Sequence, residues 1–116
     1  MTITITLLFP SSKLMPNRKN GTHWASTVRE KEKAKNDGYY AAIAHRNKTI
    51  KPGVKIIFYC PDKRKRDLDN LYSAMKATQD GVCHGLNIDD SYFRPVTLDK
   101  AIDKSNPRIE MIMEAE

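Results

Sequence analysis

The stretch "VKIIFYCPDKRKRDLDNLYSAMKATQDGV", Val54 to Val82, decides the fold. Val54 to Cys60 is β-branched and aromatic almost throughout, the composition of a well-buried strand. Leu68, Leu71, Met75 and Val82 then recur at helical spacing, which predicts a helix of about four turns. Between them lie Pro61, Asp62 and the basic run Lys63, Arg64, Lys65 and Arg66. A buried strand feeding an amphipathic helix points to an α/β sheet with helices packed against it.

Working outward, Thr2 to Leu8 alternates, with Ile3, Ile5 and Leu7 on one face and Thr2, Thr4 and Thr6 on the other, as in a half-buried strand. "FPSSKLMPNRKNGTHW" follows as a loop carrying Lys13, Arg18 and Lys19. Thr27 and Glu30 have capping-box spacing ahead of a charged helix expected to end near Arg46. Its apolar positions, Val28, Tyr39, Ala42 and Ile43, are sparse at first, and Gly38 weakens its middle. On the far side, Gly81 and Gly85 read as stop signals for the second helix. "NIDDSYFRPVTLDKAI" reads as a strand bent at Pro95, and "RIEMIMEA" as a final strand with Ile109, Met111 and Met113 inward. The expected order is β-α-β-α-β-β: one α/β domain over residues 1–116, a mixed sheet with two main helices.

At 116 residues, 40% hydrophobic and 29% charged, the chain has material for a single core. No apolar run approaches the roughly 20 residues that cross a bilayer, and "MTITITLLFP" reads as a strand and not a signal peptide, so a cytoplasmic protein is expected. Cys60 and Cys83 belong to no C-x-x-C pair and read as buried free thiols; with His84 they match no standard zinc spacing.

The net charge of +6 is uneven. Lys13 to Arg66 holds 15 Lys/Arg against 4 Asp/Glu, a net of +11, whereas Asp67 to Glu116 holds 5 against 10. A basic half suits a polyanion, because each cation that neutralises a phosphate releases a counterion. A solubilising surface would look the same.

"RDLDN", Arg66 to Asn70, sets two aspartates directly behind that basic run. Asp67 is placed to cap the second helix and Asp69 to meet its dipole, so each has a structural reading. A polar stripe of Asp69, Ser73, Lys76 and Asp80 runs along the helix opposite its apolar face. The pair Asp89–Asp90 follows; if the chain reverses suitably, a third carboxylate meets the first two. Three carboxylates hold one or two Mg²⁺ ions, which lower the pKa of a bound water and neutralise charge on a phosphate. His23, His45 and His84 form no catalytic constellation.

"RDLDNL" behind a basic run, a helix with a lysine on its polar face and then "IDD" resembles the RusA family of Holliday-junction resolvases. The resemblance spans most of the chain and implies a homodimer that nicks two strands of a four-way DNA junction, using Mg²⁺ or Mn²⁺ held by aspartates. Position by position, Asp67 and Asp69 match the D-x-D-N motif and Asp90, the second of the D-D pair, matches the third ligand. The family's lysine lies four residues after the second aspartate, where this chain has Ser73; Lys76, one turn later, is the substitute on the same face. The resemblance implies Asp67, Asp69, Asp90 and Lys76 as catalytic residues. Lys63, Arg64, Lys65 and Arg66, with Arg18, Lys19 and Asn70, would contact DNA. A basic nucleic-acid-binding module without catalysis is the competing reading. A restriction-type PD-(D/E)xK nuclease is disfavoured, since the later acidic-x-lysine element is missing.

Overall fold

In the computed structural model residues 1–16 and 24–116 are described. Strand β1 (Thr2–Leu8) buries Ile3, Ile5 and Leu7 and exposes its threonines, as the alternation requires. The last strand, β4 (Arg108–Ala115), pairs antiparallel with it and turns Ile109, Met111 and Met113 to the same side. β2 (Ile50–Cys60) lies on the other side of β4, also antiparallel, and β3 (Val96–Ile102) runs parallel to β2. The sheet order is β1-β4-β2-β3, so β1, β2 and β3 point the same way and end at one edge of the domain.

Helices cover one face of this sheet. α1 (Trp24–Ala42) continues as a 3-10 turn to His45, and α2 (Leu68–Ala74) and α3 (Lys76–Leu86) cross from the end of β2 to the start of β3. Leu71, Met75 and Val82 are fully buried together with Ile56, Phe58, Ile109 and Met111. Each such side chain contributes about 2 kcal/mol by leaving water. The α/β, β-α-β-α-β-β expectation therefore holds, with a four-stranded mixed sheet in a single compact unit.

Four details differ from the sequence reading. α1 begins at Trp24, a turn before the Thr27 capping box. The second helix is two helices: the Met75 N–H bonds the carbonyls of both Leu71 and Tyr72, and its ψ of 5° leaves the helical region. The third concerns the glycines. Gly81 and Gly85 do not stop α3, which runs to Leu86 and ends where Asn87 takes a left-handed φ of 59°. These glycines form the seam with α1: a Cβ on Gly81 would strike the Lys35 carbonyl, and one on Gly38 the Thr78 carbonyl. Close approach of two backbones, and not a helix end, is what the glycines supply. Finally, "NIDDSYFRP" is not strand. Asp89 caps a 3-10 turn (Asp90–Tyr92), accepting from the Ser91 N–H at 3.2 Å, and β3 begins after Pro95, which has no N–H for a ladder.

No helix among the described residues is long and apolar enough to cross a membrane.

Candidate nucleic-acid and metal site

The loop after β2 is built around Asp62. Its carboxylate accepts the Arg64 N–H at 2.9 Å and the Arg66 guanidinium at 2.7 Å, and Arg66 also reaches the Arg64 carbonyl at 3.4 Å. Arg66 then lies over the Phe9 ring at 5.8 Å, and Lys100 of β3 donates its ammonium to the Arg66 carbonyl. The bond from Arg66, seconded by the Arg64 N–H, holds the Asp62 carboxyl below its usual range. Arg66 is therefore turned inward, its side chain 15% exposed, and acts as a brace. Lys63, Arg64 and Lys65 remain exposed around it. Lys100, not singled out from sequence because it stands alone in β3, joins them through register with Phe58 near the end of β2.

This brace sets the position of Asp67. Asp67 is the backbone N-cap of α2, with extended φ and ψ, but its side chain makes no capping bond. The Asp67 carbonyl accepts the Leu71 N–H at 3.0 Å, but neither its side chain nor that of Asp69, in the first turn, takes a hydrogen bond or ion pair from a described residue, and both are exposed. Most other aspartates differ: Asp37 accepts the Leu8 N–H, Asp62 holds Arg66, and Asp103 holds Arg108 at 2.8 Å, while Asp80 is exposed and, like Asp67 and Asp69, takes no bond from a described residue but has no basic loop beside it. Asp67 shares a cleft of about 500 Å³ with Arg64, Lys65, Arg66 and Asn70. Its opposite wall is Phe9, Pro10 and Met15, where β1 ends. The carboxyl ends of β1, β2 and β3 thus gather the basic loop, the two uncommitted aspartates and an apolar wall. Ligands in open α/β sheets characteristically bind at such carboxyl ends.

Asp90 lies at the opposite end. The Tyr92 hydroxyl donates to the Ile50 carbonyl and the Arg94 N–H to the Pro52 carbonyl at 2.8 Å, which fixes this segment at the amino end of β2. Val54 to Cys60 alone spans about 20 Å at roughly 3.3 Å per residue. Asp89 and Asp90 instead share a shallow cleft with Asp80, Cys83, His84 and Lys35. The Ser91 N–H pulls the Asp89 carboxyl down, while the hydrogen bond with Asp89 pushes Asp90 up. Among the described residues no group of three Asp, Glu, His or Cys side chains could hold a metal ion. Asp67 and Asp69 thus stand two residues apart at the start of α2, and Asp90 lies away from both, because the crossover helices carry the chain the length of the sheet between them.

Lys76 begins α3 after the break at Met75. Its ammonium lies over the Tyr72 ring at 4.0 Å, and with Ser73, Lys13 and Lys31 it lines a cleft that also touches Met15. Ser73 and Lys76 do share a surface, as their spacing suggests, and it is a lysine-rich one. Arg18 and Lys19 lie outside the described residues, as does His23. Cys60 and Cys83 are buried free thiols in different elements, and burial pushes the Cys83 thiol up to about 12. His45 faces the Lys48 ammonium at 2.9 Å and His84 stacks near Tyr39, so the two histidines stay apart.

No family model matches the chain, and no curated protein matches it either.

Proposed function

We propose that the protein is a divalent-metal-dependent endonuclease that cuts branched DNA, with Asp67 and Asp69 as its metal-holding pair. The observation that carries this is the pair's state: two exposed carboxylates without a partner among the described residues, one of them in a cleft whose other charged groups are Arg64, Lys65 and Arg66. Acid beside base on a solvated surface pairs up, as Asp62 and Arg66 do. Asp67 and Asp69 do not.

Mg²⁺ is commonly held by one or two carboxylates plus substrate phosphates and waters, so this donor pair fits it, and Mn²⁺ also. When bound it supplies a more acidic water and neutralises charge gathering on the phosphate. The chain's own residues do the rest. Arg64 and Lys65 hold the phosphodiester backbone beside Asp67, Arg66 keeps their loop in place, and Lys100 extends the basic surface past the end of β3. Lys76, with Lys13 and Lys31, holds backbone on the other side of Met15. Asp90 joins Asp67 and Asp69 only from a second copy, and a two-fold dimer would present two such sites for paired incisions.

The test offers the protein a synthetic four-way junction and a linear duplex of the same sequence, with Mg²⁺ and with EDTA. Metal-dependent, paired nicks confined to the junction are expected. Equal cutting of both substrates would leave a nuclease without the junction preference. Binding without cutting in either metal would favour the non-catalytic module.

A further inference from the structure

Phosphate recognition needs cations and N–H donors; it does not need the apolar half of the Asp67 cleft. Phe9 and Met15 are partly exposed there, with buried Leu71 as floor. A cleft of about 500 Å³ lies in the range of roughly 300–1,000 Å³ usual for small ligands, far too narrow for a duplex. Asn70, half-buried on its rim, carries an amide with both donor and acceptor groups, able to read the edge of a flat polar ring. Arg66 over the Phe9 ring adds a planar cation to the same wall. A partner that is anionic on one side, flat and apolar on its faces, and polar at its edge is a nucleotide whose base has left the stack. Base stacking on aromatic and guanidinium groups beside a basic track is how single-stranded nucleic acid is held.

We infer that the cleft between Phe9, Met15 and Asn70 takes one unpaired nucleotide of the DNA, its base against the apolar wall and its phosphate on Arg64 and Lys65. This rests on the nucleic-acid reading above and sharpens it. The substrate is marked by an unstacked base beside the cutting site, and a duplex that keeps every base paired leaves the wall wet.

Three end-labelled DNAs compared by fluorescence anisotropy in EDTA test this: a duplex with one unpaired nucleotide, the same duplex fully paired, and one whose unpaired nucleotide lacks its base. The first should bind about tenfold tighter than the other two, the size expected for one stacked base. Met15→Ala should remove that preference while leaving affinity for the paired duplex unchanged. Phe9→Leu, which keeps the apolar volume but not the ring, should reduce it, and circular dichroism checks that both variants fold. Equal affinity for all three DNAs would overturn the inference and leave the basic DNA-binding end intact. Tight binding of the baseless strand would overturn it in favour of recognition of a bent backbone. Binding to no DNA at all would remove both this inference and the reading it rests on.

Discussion

The two ends of the sheet use carboxylates in opposite ways. At the carboxyl ends of the parallel strands, Asp62 is committed to Arg66 and frames a loop, which leaves the Asp67 and Asp69 side chains exposed without a partner among the described residues. At the amino ends, Asp89 accepts from the Ser91 N–H and caps a turn beside Asp90, with Asp80 adding a like charge nearby. The first arrangement has cations around it and carboxylates to spare. The second sets three carboxylates beside one lysine, Lys35, and so attracts a phosphodiester less than the first. A count of aspartates would treat the two ends alike; their partners separate them.

The separation makes a demanding prediction about Asp90. If it completes the metal site from a second copy, Asp69→Asn and Asp90→Asn homodimers are each inactive, yet mixing them restores cutting. Each mixed dimer keeps one intact site, so an equimolar refolded mixture should recover roughly a quarter of the wild-type sites. Assaying each variant alone and then the mixture decides it. No recovery would mean that Asp69 and Asp90 are needed on the same chain, which contradicts the shared site, and an active Asp90→Asn homodimer would remove Asp90 from the site.

The two ends are held apart by α3 against α1, which suggests the next largest effect. Gly81→Ala pushes a methyl into the Lys35 carbonyl and should lose about 3 kcal/mol in chemical denaturation. An unchanged midpoint would mean that the seam opens easily.

Acid should weaken the two arginine-braced turns at the carboxyl end. The folded-state carboxyls of Asp62 and Asp103 are depressed by Arg66 and Arg108, so each stabilises the fold above the ordinary carboxylate range. That stability is lost as pH falls through the depressed values. Thermal midpoints at pH 7 and pH 3 should therefore drop more for the wild type than for an Asp62→Asn, Asp103→Asn double variant.

The smallest effect belongs to Lys100. Lys100→Ala should lower DNA affinity a few-fold, uniformly across sequences, and reduce the slope of log affinity against log salt by about one. Sequence-dependent loss would mean that it reads bases.

Much of this was legible in the chain. Strict alternation in β1 and β4 set both strands and their buried faces, and the basic run ahead of Asp67 marked the end of the sheet that carries the candidate site. Local spacing could not show what distant backbones do. Gly38 read as a helix weakener and Gly81 and Gly85 as helix stops because the carbonyls they accommodate lie on the other helix. Phe9 and Met15 carry no motif; only the loop's return to β1 brings them opposite Asp67. Asp90 follows a motif spacing that is silent about direction, and the parallel pairing of β2 with β3 is what sends it to the far end.

On the proposed function, the Asp67 and Asp69 carboxylates serve chemistry and not stability. Measuring Mg²⁺-dependent junction cleavage and unfolding free energy on the same preparation of Asp69→Asn tests it most directly. The variant should lose cleavage on the order of 10³-fold, with stability within about 1 kcal/mol of the wild type. Undiminished cleavage, or a loss of stability large enough to account for lost cleavage, would contradict it.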